Sequence, residues 1–169
     1  MVFMCLSGLH FGLLFQTFLF GPKNIFSSEV SRYFIIVLFA GILLVSLNLY
    51  FSGFGDFIWA LRYASFQVIS VGTTTGFATI DTASWPYFSI MILIYFTIQC
   101  ACIGSTSGGL KFDRIVIFFK SLSKQIKVML HPSAVVVKKI DAQVISERIE
   151  SQTLVFIILY LVIIFVSSG

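Results

Sequence analysis

The sequence predicts an all-α membrane protein in which a helix, a re-entrant segment and a second helix follow one another. Its 169 residues are 58% hydrophobic and 11% charged, whereas an ordinary soluble domain carries about 25% charged residues. Four apolar stretches approach the roughly 20 residues that a helix needs to cross a bilayer. A short helical pattern and a polar run lie between the second and third of these stretches.

The four apolar stretches predict membrane-spanning helices or the ends of such helices. They are residues 2–20, 33–50, 87–103 and 154–166. Cys5, Cys100 and Cys102 all lie in apolar surroundings and lack the paired spacing of a disulfide framework or a metal site. The chain also has no signature of a catalytic serine or cysteine next to a histidine, so we expect it not to be an enzyme.

Residues 56–69 predict a short helix that is too polar to span a membrane. Asp56 stands near its start, where free N–H groups and the helix dipole favour an acid. The helix leads into residues 70–79, SVGTTTGFAT, which we call the threonine segment. Irregular backbone at membrane depth is tolerated only where it is buried in protein or lines a water-filled path. The pattern therefore predicts a re-entrant element.

The basic residues predict the orientation of the chain. Only Arg62 lies between the second and third apolar stretches, and the other ten of the 11 Lys and Arg residues fall on the opposite side. Because cytoplasmic loops carry the excess of Lys and Arg, the threonine segment is expected to face outward. The net charge of +4 is thus explained by topology, and no nucleic acid partner is expected.

The threonine segment has the residue types that suit a monovalent cation. Backbone carbonyls and threonine hydroxyls replace the hydration shell of such an ion without a fixed negative charge. Glycine tolerates the backbone angles that point successive carbonyls the same way. The candidate ion-binding residues are Thr74, Thr75, Gly76 and Phe77. The alternative is a loop whose hydroxyls satisfy their own backbone.

A second unusual passage, IGSTSGGL, follows the third apolar stretch; we call these residues 103–110 the glycine loop. A phosphate-binding loop is excluded because Leu110 stands where that motif requires lysine. Its composition fits either a flexible link between helices or unwound backbone that enters a pore. The residues concerned are Gly104, Ser105, Thr106, Ser107, Gly108 and Gly109. Lys111 and Arg114 are candidate anchors of its inner end to carboxylates or helix ends.

The order of these elements resembles the unit of potassium channels. The passages VGTTTGF, GSTSGGLK, HPSAVVVKK and ERI are more specific, and with them the chain resembles the TrkH/KtrB family of potassium transporters. The resemblance implies four helix–pore-loop–helix repeats around one pore, with potassium bound through Thr74, Thr75 and Gly76. It also implies that the glycine loop is an intramembrane gate.

The resemblance divides the chain into parts of three repeats. Residues 1–20 correspond to the end of the preceding inner helix, and residues 31–119 to the third repeat. Within that repeat, 56–69 correspond to the pore helix, the threonine segment to the filter and the glycine loop to the gate. Residues 120–150 correspond to a cytoplasmic connection and 151–169 to the first helix of the fourth repeat. We expect a piece of a longer protein; the alternative is assembly of several copies.

The family's usual partners are a second copy of the full-length subunit and a cytoplasmic nucleotide-binding regulatory subunit. The basic stretch 111–139 is the expected docking surface, and no cofactor is expected in this chain itself. The expected location is the inner membrane of a bacterium, in contact with lipid. Sodium or mixed sodium and potassium conduction, channel-like flow or symport, a non-transporting scaffold and a membrane-embedded enzyme remain alternatives.

Overall fold

The computed structural model describes residues 1–20, 28–130, 139–140, 143–144 and 147–168. The chain divides into two units, Met1–Lys111 and Phe112–Gly169. Its elements in chain order are α1 (Val2–Gly8), α2 (Phe11–Phe20), α3 (Glu29–Phe51), α4 (Phe57–Gly72), α5 (Tyr87–Ile98), α6 (Phe112–Leu130), β1 (Lys139–Ile140), β2 (Gln143–Val144) and α7 (Glu147–Ser168).

The described residues are predominantly helical, which confirms the predicted fold class at that level. In the second unit, the two-residue strands β1 and β2 pair antiparallel, with Lys139 opposite Val144. The sequence AVVVKKIDAQVIS predicts a short hairpin here, and this pairing confirms it. The rest of that passage, together with other parts of the predicted connection 120–150, lies outside the described residues.

Two helices of the described part are long and apolar enough to cross a membrane, Glu29–Phe51 and Arg148–Ser167. The first apolar stretch is not one continuous helix, and that expectation was wrong. The chain is extended at Leu9, with φ −86° and ψ 162°, between α1 and α2. Two backbone hydrogen bonds accompany this break. Cys102 N, just before the glycine loop, donates to the Gly8 carbonyl, and Phe11 N donates to the Gly104 carbonyl within the loop, both at 3.2 Å.

The third apolar stretch is helical only as far as Ile98, so the predicted helix over 87–103 was too long. At about 1.5 Å of rise per residue, α5 is about 18 Å long, against about 30 Å for the hydrocarbon core of a bilayer. Gln99 is extended, with φ −81° and ψ 105°. Cys100 N then donates to the Leu110 carbonyl at 2.9 Å, which closes the base of the glycine loop.

The first unit holds α4 against α3 and α5 by close packing around Phe96, which is 1% exposed. A Cβ atom built on Gly41 of α3 would overlap the Phe96 ring, and one on Gly72 of α4 would lie 3.3 Å from it. Ser89 of α5 donates to Asn48 Oδ1 of α3 at 2.8 Å. These contacts hold the C-terminal end of α4, where the threonine segment begins, against α3 and α5.

Candidate functional site

Helix α4 delivers the chain to the threonine segment. Asp56 is its N-cap residue, as the sequence predicted, and the Asp56 carbonyl accepts the first helical hydrogen bond from Ala60 N at 2.9 Å. The helix runs to Gly72, three residues beyond the predicted 56–69. Ala60 and Ala64 are fully buried, so small side chains bring this helix close to its neighbours.

The backbone leaves α4 in a tight, irregular turn. Thr74 N donates to the Val71 carbonyl at 3.0 Å and Thr75 N to the Ser70 carbonyl at 2.9 Å. Thr74 has φ +55° and Gly76 φ +77°. A β-branched residue with positive φ is a true outlier, and such strain costs on the order of 1–3 kcal/mol unless the surroundings impose it. The structure therefore has to hold Thr74 in place.

Two buried side chains of α4 tie down the segment that follows. Ser70 Oγ donates to the Phe77 carbonyl at 2.6 Å, and Gln67 Nε2 donates to the Ile80 carbonyl at 2.9 Å. Ser70 is fully buried and Gln67 is 3% exposed. Gln67 was not among the candidate residues predicted from the sequence. The signal was available, because Gln67 and Ser70 are three residues apart and so share one face of the helix.

The three consecutive threonines have different roles. Thr73 is buried, and its Oγ1 donates to the Ile69 carbonyl at 2.7 Å. Thr73 Oγ1 also lies 2.7 Å from Thr75 Oγ1. Since a hydroxyl has a single proton to donate, Thr75 is the donor in that pair. Thr74, by contrast, is exposed, so Thr73 is structural while Thr74 presents its hydroxyl.

The glycine loop is a compact turn held by its own serines. Ser105 Oγ donates to the Cys102 carbonyl at 2.6 Å and lies 2.8 Å from Ser107 Oγ. Gly104 has φ +74° and lies against the His10 ring, which a Cβ atom at Gly104 would approach to 3.1 Å. His10 and the break between α1 and α2 thus lie against the glycine loop, a contact that was not predicted from the sequence.

The two predicted anchors have separate surroundings. Lys111 Nζ donates to the Ser107 carbonyl at 2.6 Å and to the Ser105 carbonyl at 3.1 Å. The lysine therefore binds carbonyls of the glycine loop itself, whereas carboxylates or helix ends were the expected partners. In the second unit, the Arg114 guanidinium lies 3.6 Å from the centroid of the Phe156 ring. An anchoring role for Arg114 stays a prediction.

The threonine segment and the glycine loop lie in direct contact. Gly108 N donates to Thr74 Oγ1 at 3.3 Å, across 34 residues of sequence. The end of α1 is close by, since a Cβ atom on Gly8 would lie 2.8 Å from Thr73 Cγ2 and 3.4 Å from Ala101 Cβ. The fold thus brings together three passages that are far apart in the sequence.

The Ser70 bond gives a prediction about stability. Ser70→Ala removes the donor to the Phe77 carbonyl, and we expect it to lower the free energy of unfolding by about 1 kcal/mol. The matched control is Ser65→Ala on the same helix, where Ser65 is half-exposed and bonds to the Arg62 carbonyl of its own turn. Both changes alter helix propensity equally. Thermal unfolding of the full-length protein measures the difference, and equal melting temperatures would contradict the prediction.

The whole chain matches a known family. A family model described as TrkH, cation transport protein, matches residues 1–169. Over 173 aligned residues the chain is 33% identical to the Trk system potassium uptake protein TrkH of Escherichia coli (strain K12). This alignment covers 96% of the present chain and 36% of that protein. It is 32% identical over 156 residues to the protein of the same name from Vibrio parahaemolyticus, with 88% and 31% covered.

The fold is similar to that of a solved relative. The chain superposes on the crystal structure of the potassium transporter TrkH from Vibrio parahaemolyticus with a TM-score of 0.91 and 29% sequence identity. That match covers 98% of this chain and 36% of the other. The chain therefore spans about a third of the length of the relatives that it matches.

Proposed function

Since the chain belongs to the TrkH family of cation transport proteins, we propose that it forms part of the ion pathway of a potassium uptake protein. In this proposal Thr74, Thr75, Gly76 and Phe77 supply one of the segments that together make the selectivity filter. Potassium is the proposed ion because the relatives that the chain resembles are named potassium uptake proteins.

The observation that carries the proposal is the irregular backbone at the C-terminal end of α4, which hydrogen bonds hold in place. Ser70 and Gln67 secure the carbonyls of Phe77 and Ile80, while the Thr74 side chain stays exposed. A dehydrated monovalent cation is bound by backbone carbonyl oxygens that replace its hydration shell. The carbonyl end of a helix carries about half a negative elementary charge, so α4 adds a favourable potential for a cation there.

The glycine loop is the proposed gate. It lies against Thr74, the proposed filter residue, and its stem replaces the continuation of α5. The Lys111 ammonium is bound to the carbonyls of this loop. A positive charge so placed opposes the entry of a cation for as long as the loop keeps this position. Moving the loop would remove both the obstruction and the charge.

The remaining parts of the proposal concern the cell and the assembly. The protein is placed in the inner membrane of a bacterium, with the threonine segment outward and the basic connections in the cytoplasm. Two full-length subunits form a dimer, and a nucleotide-binding regulatory subunit docks on the basic stretch 111–139. These proposals rest on the family and on the distribution of Lys and Arg.

Cation flux through the full-length protein tests this function. Potassium-loaded liposomes that contain the purified protein should take up rubidium faster than potassium-loaded liposomes without protein. External potassium should compete with rubidium far better than external sodium does. Equal competition by sodium would favour a sodium-conducting member of the family. Correctly folded protein without flux of any cation would favour a non-transporting scaffold. Flux that needs no gradient of a co-transported ion would indicate channel-like flow in place of symport.

A further inference from the structure

One peptide group in the glycine loop contacts both the proposed gate lysine and the proposed filter. The carbonyl of Ser107 accepts from Lys111 Nζ at 2.6 Å. The N–H of Gly108, which belongs to the same planar peptide, donates to Thr74 Oγ1 at 3.3 Å. The 107–108 peptide thus lies between a fixed positive charge and a filter hydroxyl.

The charge on Lys111 fixes how this peptide is oriented. In a trans peptide the C=O and N–H bonds point in opposite directions, and the group has a dipole of about 3.5 D. A cation at the oxygen end therefore favours the orientation that aims the N–H at Thr74. It also polarises the peptide and strengthens the N–H as a donor. The second bond of Lys111, to the Ser105 carbonyl at 3.1 Å, holds the ammonium in that position.

The hydrogen bond changes what Thr74 can offer to an ion. A threonine hydroxyl has two lone pairs, and Gly108 N–H takes one of them. It also places the positive end of the peptide dipole on the oxygen that would otherwise face the cation. The same oxygen is therefore a weaker cation ligand while this bond is made. Thr74 is held at φ +55°, so its position depends on contacts such as this one.

We propose that the 107–108 peptide couples the gate to the filter, with Lys111 as its positioning residue. When the glycine loop is in place, Gly108 N–H competes with the cation for Thr74 Oγ1. When the loop moves away, the hydroxyl becomes free and the filter binds its ion more tightly. Loop and cation are then linked reciprocally, each weakening the binding of the other. This inference rests on the proposed function, because it assigns the filter to Thr74 and the gate to the loop.

Equilibrium binding of potassium to the purified full-length protein tests the coupling separately from flux. Lys111→Met removes the charge that orients the peptide, and Gly108→Pro removes the N–H donor from the other end. Each is expected to tighten potassium binding about fivefold, the effect of one ordinary hydrogen bond. Lys111→Arg keeps the charge and should restore affinity toward that of the parent. Arg62→Met removes an exposed positive charge from α4 outside the site and serves as the control.

A double-mutant cycle isolates the competing hydrogen bond. Thr74→Val removes the hydroxyl, so in that background Gly108→Pro should no longer change potassium affinity, whereas Lys111→Met should keep only the direct effect of its charge on the cation. Variants that raise rubidium flux but leave the dissociation constant unchanged would overturn the coupling and leave the proposed function standing. A parent protein that binds no potassium would instead overturn the proposed function. If Lys111→Met fails to fold, Gly108→Pro alone tests the coupling, since it removes the hydrogen bond to Thr74 without replacing the lysine.

Discussion

Replacing Gly76 with serine is expected to reduce the selectivity of the full-length protein for potassium over sodium at least about tenfold, or to abolish uptake. Gly76 has φ +77°, and no atom lies within 4 Å of a Cβ atom built on it. The added side chain therefore meets no steric obstacle. What it changes is the backbone, because a left-handed conformation costs a residue with a Cβ atom roughly 1–2 kcal/mol.

The chain relieves that strain by rotating the peptides next to residue 76. In the proposed filter those peptides carry the carbonyls that surround the ion, so even a small rotation misplaces ligands. Selectivity is more sensitive than stability to such a rotation, because the difference in binding free energy between two similar cations depends on the positions of all the oxygens. The measurement is competition between sodium and rubidium for uptake into liposomes.

The chain contains a matched control for this substitution. Gly53, in the turn between α3 and α4, has φ +75° and likewise has no atom within 4 Å of a Cβ atom built on it. Gly53→Ser therefore introduces the same backbone strain without altering the threonine segment. We expect both variants to lose similar stability and only Gly76→Ser to lose selectivity. Equal loss of selectivity in both would show that backbone strain alone is responsible, and intact selectivity in both would contradict the filter assignment.

Removing residues 104–109 from the full-length protein is expected to raise the basal rubidium flux by about tenfold or more, the effect of about 1.4 kcal/mol on a gating equilibrium. The deletion takes away the contact between Gly108 and Thr74 and both carbonyls that bind Lys111. Cys100 N and the Leu110 carbonyl, which close the base of the loop, remain.

Two measurements make this deletion interpretable. The amount of protein in the membrane shows whether the shortened chain folds. Potassium binding then shows whether the filter is intact. Raised flux with intact binding is the expected outcome. Unchanged flux in a folded protein that still binds potassium would contradict the assignment of the glycine loop as the gate.

The sequence by itself was sufficient for the class of protein and for the two segments of interest. A low charge content and long apolar stretches reflect transfer into lipid, a property that each residue contributes independently of its neighbours in space. The threonine segment and the glycine loop stood out because runs of hydroxyl residues and glycines interrupt the apolar pattern, and irregular backbone at membrane depth is tolerated only inside protein or along a water-filled path. The helix that precedes the threonine segment was also predictable, from Asp56 and the short apolar pattern.

The ends of the helices and the hydrogen-bond partners of individual groups were harder to predict from the sequence. The sequence predicted one helix over 2–20 and another over 87–103. In both stretches the helix is interrupted where backbone groups form hydrogen bonds with residues outside it. Phe11 N bonds to the Gly104 carbonyl, and Cys100 N to the Leu110 carbonyl. An apolar residue count contains no information about such bonds, because it is the same whether a peptide bonds within its helix or to a distant loop.

The tertiary structure alone decided which threonine is buried and which is exposed, and which group Lys111 binds. Thr73, Thr74 and Thr75 are equivalent by composition, yet only Thr74 receives the Gly108 N–H. Lysine commonly pairs with carboxylates, yet here Lys111 binds two carbonyls of its own loop. Composition determines which groups must be kept from lipid. The partner of each group depends on distances across the fold, and only the folded chain sets those distances.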